Sequence, residues 1–191
     1  MLPAYLEDAK FWRLLWRFDE DLAAEVRARG CPLCGAPLHS ARYPRKPRGV
    51  PRAVLGESHR YRLSLCCARD GCRRRETPPS VRFLGRRVYL ATVVVLLTAL
   101  SQGLVGARRS RLREQFGVGE RTLRRWRRWW TEVFPATRWW RAERGRFIPP
   151  VEAAQLPGAL LERFSAAEPP TQMCDVLAFL APLSHGAGHA H

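Results

Sequence analysis

The chain has 191 residues, with 33 Lys+Arg against 17 Asp+Glu and a formal net charge of +16. That length suits one ordinary domain or two small ones and excludes a large multi-layer enzyme. A hydrophobic fraction of 46% with seven Trp argues against wholesale disorder, and charge this positive points to a polyanionic partner, either nucleic acid or an anionic membrane surface.

Of the 33 basic residues, 31 are Arg and two are Lys (Lys10 and Lys46), the signature of GC-rich coding. Such a bias explains Arg over Lys but not the excess of bases over acids. The charge is also clustered. Residues 1–30 carry five bases and six acids, and residues 147–191 carry one base and four acids. Between them, 31–87 holds 14 bases and three acids, and 88–146 holds 13 bases and four acids. The middle of the chain is therefore net +20 and the flanks net −4, which favours a binding surface over a global bias.

Residues 5–28 read as an amphipathic helix, with Phe11, Leu14, Leu15, Phe18, Leu22 and Val26 at three- and four-residue steps. Glu7 and Asp8 sit in its first turn, and Arg27, Arg29 and Gly30 end it. This is a packing helix with no chemistry of its own. Met1 to Arg17 mixes acids, bases and aromatics, so no secretory signal is expected. A cytosolic setting favours metal ligation over disulfide pairing among the six cysteines.

Residues 31–80 read as short strands and loops. Cys31-Pro32-Leu33-Cys34-Gly35 is one half of a metal knuckle: a C-x2-C turn sets two thiolates on one side of a tight loop, and the Gly permits the turn. Tyr43 to Arg52, with Arg45 and Lys46, is a Pro- and Gly-punctuated basic loop. Tyr61, Leu63, Leu65 and Cys67 then alternate with Arg62, Ser64 and Cys66, a strand pattern. Cys67 and Cys72 form the second knuckle, Cys67 being chosen over Cys66 because it is in phase with that alternation. The spacing C-x2-C-x32-C-x4-C suits four thiolates around one structural zinc, whose binding supplies folding energy the short segment lacks. His39 and His59 are the alternative donors, and Cys174 stands apart.

Val88 to Ala107 is free of charge for twenty residues, long enough to span a membrane. It contains Thr92, Thr98, Ser101, Gln102, Gly103 and Gly106, so a buried helix over 88–102 is the better reading. A second helix carrying Leu112 and Phe116 ends at Gly117, Val118 plugs the turn, and a third helix starts at Gly119–Glu120. Leu123, Trp126, Trp130 and Val133 should face the core. Arg121, Thr122, Arg124, Arg125 and Arg128 then lie largely opposite, where a recognition helix meets base edges and phosphates. Arg108 flanks the same region, and Trp129, Trp139 and Trp140 are read as packing residues. Residues 151–191 show four prolines, little periodicity and a His/Gly/Ala end.

These features predict a mainly α fold with a small β zinc ribbon. The expected units are an N-terminal helix (1–30), a four-cysteine ribbon (31–80), a tri-helical helix-turn-helix domain (81–148) and a Pro-containing, partly disordered tail (149–191). The Cys31-Pro-Leu-Cys34-Gly knuckle, together with Phe116-Gly-Val-Gly-Glu-Arg-Thr-Leu-Arg-Arg-Trp126, resembles the zinc-ribbon and helix-turn-helix DNA-binding region of bacterial insertion-sequence transposases. The resemblance spans roughly residues 31–134. Gly119 departs from it by replacing the usual Ser/Thr cap, and Cys66 is an extra thiol before a widened second knuckle.

The resemblance implies sequence-specific duplex-DNA binding in the cytoplasm, associated with the nucleoid. It also implies a role as an accessory protein that finds mobile-element ends for a separately encoded catalytic transposase subunit. The catalytic half is not expected here. There is no Asp between Asp70 and Asp175, no Gly-rich phosphate loop and no Ser/His/Asp arrangement, and His189-Ala190-His191 lacks a paired catalytic Tyr. The chain reads as a non-enzyme with no catalytic residues. A transcriptional regulator of the same architecture is the alternative, and a membrane-anchored protein using 88–107 is a distant third.

Overall fold

The computed structural model describes residues 3–50, 52–84, 89–104, 106–164 and 168–184. The fold is mainly helical, with two small antiparallel sheets.

Helix α1 (Ala9–Arg29) starts at Asp8, whose carboxylate accepts from the Lys10 N–H at 2.7 Å, and ends at Gly30. Its buried face is Phe11, Trp12, Leu15, Asp19, Ala23 and Val26. This corrects the expected stripe. Leu14 is exposed and Phe18 and Leu22 are half-buried, because the buried line runs through Leu15 and Asp19 instead. Asp19 holds that line by ion pairing, described below.

Strand β1 (Leu38–Ser40) pairs antiparallel with β4 (Leu65–Cys67), and β4 with β5 (Arg75–Glu76). A second ladder joins β2 (Tyr43–Pro44) to β3 (Tyr61–Arg62). The expected single alternating strand is thus split. Leu65 and Cys67 face inward as anticipated, but Arg62 and Ser64 are buried while Tyr61 is exposed and Leu63 half-buried. The phase flips where the chain leaves one sheet for the other. The basic loop packs back on helix α3 (Ala91–Leu100): Gly49, at φ +101°, lies so close to Val93 that an added Cβ would sit 2.8 Å from a methyl group.

Residues 91–98 of α3 are all buried, and the helix packs against α5 (Glu120–Arg128), α8 (Gly158–Arg163) and α9 (Pro169–Leu180). Burial on every side explains its apolar circumference. Among the described residues no helix is long and apolar enough to cross a membrane. The twenty-residue uncharged stretch is broken after Leu100, and α4 (Ala107–Gln115) begins within it.

The junction of α4 and α5 follows the expected pattern. Gly117 takes φ +59°, its N–H donating to Glu114 O at 3.0 Å, and Val118 N–H donates to Arg113 O at 2.9 Å. Phe116 and Val118 are buried, Leu112 half-buried. The Tyr89 hydroxyl donates to Gly117 O at 3.0 Å, and its ring meets Trp126 edge-on at 5.0 Å. Leu123, Trp126 and Trp130 point into the core as expected, but Val133 is 49% exposed and Phe134 is buried in its place. The cause is a π turn over Trp129–Val133, where the Phe134 N–H donates to Trp129 O five residues back and shifts the helical phase.

The segment expected as a tail is folded over 151–164 and 168–184, with α8, α9 and short 3-10 turns at Ala153–Gln155 and Ala181–Ser184. Leu156, Leu160, Met173, Val176, Leu177 and Leu180 join one apolar core that also takes in Trp12 of α1 and Trp126 of α5. Helix α1, helices α3 and α5 and this segment therefore share a core. Trp129, Trp139 and Trp140 pack as anticipated: Trp139 meets Phe179 at 4.4 Å and Trp140 meets Phe134 at 4.8 Å. The end with His189 and His191 lies outside the described residues.

Candidate metal centre and nucleic-acid interface

The first knuckle follows α1 directly. Gly35 N–H donates to Cys31 O at 2.8 Å, Cys31 N–H donates to Ala36 O at 2.9 Å, and Gly35 sits at φ +68°. The second knuckle hangs from β4, where Ala68 N–H donates to Pro37 O at 2.9 Å and so ties the two knuckles together. Cys72 N–H donates to Arg69 O at 3.2 Å to close the turn.

These turns bring the sulfurs of Cys31, Cys34, Cys67 and Cys72 within 4.8 Å of one another. Cys31 Sγ lies 3.8 Å from Cys72 Sγ, and Cys34 Sγ lies 3.5 Å from Cys67 Sγ. A disulfide needs about 2 Å, so these are free thiols. Four sulfurs at about 2.3 Å from a central tetrahedral zinc would lie roughly 3.8 Å apart, so the donor set and its spacing fit that ion. Four protein ligands would fill a tetrahedral shell and leave no open position for substrate, the arrangement of a structural site.

A hydrogen bond from the Leu33 backbone holds the Cys31 thiol down to about 7, while burial pushes the Cys67 thiol up. A divalent cation held by these four residues would deprotonate the thiols and remove that inequality. Cys66 is excluded: its Sγ turns away to Arg73 O at 3.5 Å. His39 is exposed, and His59 is buried elsewhere, its ring 5.9 Å from Trp12 and its pKa lowered to about 4, chiefly by burial. Neither belongs to the sulfur cluster. Cys174 is buried apart, and burial raises its thiol to about 11.

A buried charged hub fastens the β2–β3 ladder to α1, and sequence reasoning missed it. Asp19 of α1 accepts from Arg82 Nε at 2.7 Å, from the Ser80 hydroxyl at 2.6 Å and from Val81 N–H at 2.8 Å. Arg62 of β3 lies 4.0 Å from the same carboxylate and donates to Pro78 O at 2.6 Å. Arg82 also donates to Tyr61 O at 3.1 Å and lies over the Trp16 ring at 4.4 Å. Burial lowers the pKa of both guanidiniums, and Asp19 opposes that shift. The available signal was an acid four residues after Leu15 on the buried helix line.

On α5, Arg121, Arg124, Arg125 and Arg128 are exposed and Thr122 is half-buried. The five line one shallow furrow. Glu120 pairs with Arg113 across the turn, and Arg128 Nε donates to Glu132 at 2.7 Å, which raises the Arg128 pKa. Arg108 is exposed in the first turn of α4 and Lys46 is exposed on its loop; neither lines the furrow. Arg45 is half-buried, its guanidinium 5.5 Å from the Tyr43 ring and 5.8 Å from Phe83, so it is partly engaged in packing.

No protein-family model matches the chain, and no curated protein or solved structure matches it.

Proposed function

We propose that the chain is a sequence-specific duplex-DNA-binding protein, in which a zinc ribbon braces a helix-turn-helix and α5 is the recognition helix. The observation that carries this reading is the furrow of Arg121, Thr122, Arg124, Arg125 and Arg128 on a helix whose opposite face is sealed by Leu123 and Trp126. A helix so presented fits the major groove, where Arg reads guanine by paired hydrogen bonds and flanking Arg residues hold phosphates. The zinc site contributes folding energy and rigidity rather than chemistry.

In this reading the chain supplies binding and no catalysis. By its resemblance to insertion-sequence transposases, it marks mobile-element ends in the nucleoid for a separately encoded catalytic subunit. A neighbouring reading frame for a nuclease between inverted repeats is what that role requires; without one, transcriptional regulation takes its place.

Selection of bound duplexes from a random pool tests the reading. A short enriched sequence is expected, and Arg121→Ala or Arg125→Ala should cost about 1–3 kcal/mol while relaxing preference at one position. A pool with no enriched sequence would sink sequence-specific recognition. Equal losses on every sequence would make the replaced arginine a phosphate contact only.

A further inference from the structure

The loop between β4 and β5 carries more than a metal ligand. Arg69, Arg73 and Arg74, with Arg75 at the start of β5, are all exposed. The loop backbone is pinned: Cys67 N–H donates to Arg74 O at 2.8 Å, and the N–H groups of Cys72 and Arg73 both donate to Arg69 O at 3.2 Å. Arg73 takes φ +46°, the one non-glycine residue at positive φ among the described residues. Glycine adopts that conformation without strain, yet a guanidinium stands there.

The ion pairs among the described residues use Arg60, Arg62, Arg82, Arg113, Arg128 and Arg146, and none of these four. Asp70 is the one acid between residues 68 and 75, and it too is exposed. Balancing the charge of a four-thiolate metal site would bring guanidiniums onto the sulfurs. The hydrogen bonds that Cys31 and Cys67 receive from outside the cluster come instead from the backbone of Leu33 and Arg69.

We infer that this arginine knuckle is a second contact surface for duplex DNA, gripping its phosphate backbone. The inference rests on the DNA-binding reading above. Residues 68–75 contain no aromatic side chain on which an unpaired base could stack, so the chemistry suits duplex phosphates rather than single strands. Mounted on a metal-braced sheet, the four charges hold a set position and fix orientation along the duplex without reading bases.

The test titrates zinc-loaded full-length wild type and R69Q/R73Q/R74Q/R75Q onto a duplex of the selected sequence and onto a scrambled one, across about 50–200 mM salt. The log–log salt slope of the variant should be shallower by about 3–4, with preference for the selected duplex retained. The all-lysine variant keeps the charge and should keep the wild-type slope. An unchanged slope in the zinc-loaded glutamine variant would overturn the knuckle contact and leave the α5 reading standing. Equal collapse of the lysine variant would also overturn it, by marking these arginines as structural. A wild-type chain that binds no duplex would overturn both proposals. Should the glutamine variant fail to fold, arginine-specific dicarbonyl labelling of the wild type replaces it. DNA should protect all four side chains, and equal labelling with and without DNA would overturn the contact.

Discussion

Strand alternation sends Cys66 and Cys67 to opposite faces of β4, and Cys67 alone of the two reaches the sulfur cluster. Cys67→Ser should therefore abolish metal binding, while Cys66→Ser should keep about one zinc per chain on metal analysis of the purified protein. The opposite result would move the ligand set by one residue and reverse the strand's phase. This ligand was legible because the strand period selects it where the knuckle spacing leaves Cys66 and Cys67 both open. Asp19 was not legible: an acid on an amphipathic helix reads as solvated, and its partners Arg62 and Arg82 lie 43 and 63 residues away. Breaking such a pair costs about 3–5 kcal/mol, because the remaining charge stays buried, so residues distant in sequence hold α1 to the β2–β3 ladder.

At the scale of elements, legibility follows regularity. The α4–α5 turn was readable because Gly117 at positive φ and buried Val118 are local consequences of local sequence. The furrow followed, since a 3.6-residue period puts the arginines opposite Leu123 and Trp126. After Trp130 the expected period fails at Val133, because the π turn over Trp129–Val133 inserts an extra residue that propensity does not announce. The consequence can be measured as urea unfolding midpoints. Phe134→Ala should destabilise by about 3–5 kcal/mol, as expected for a fully buried ring. Val133→Ser should fall within about 0.5 kcal/mol of wild type. A large loss at Val133 with tolerance at Phe134 would restore an uninterrupted α-helix there.

Across the whole molecule, the apolar circumference of α3 sets the topology. A ten-residue helix buried along residues 91–98 needs cover on every side, and α5 covers only part of it. The remaining cover comes from α8 and α9, whose prolines and short helices disguise them in sequence as a tail. Segments that fold only against a partner surface carry weak periodicity of their own, because packing rather than propensity stabilises them. The basic centre and the C-terminal flank therefore divide labour within one core: α8 and α9 help to bury α3, and α5 turns its arginines outward. Leu177 in α9 is buried in that shared core. Leu177→Ala should cost about 2–5 kcal/mol of unfolding free energy, with zinc content unchanged. A chain cut after Pro150 should lose its cooperative melt, since removing α8 and α9 uncovers α3. If the cut chain instead melts at the wild-type temperature, the C-terminal helices are dispensable and the tri-helical unit folds alone.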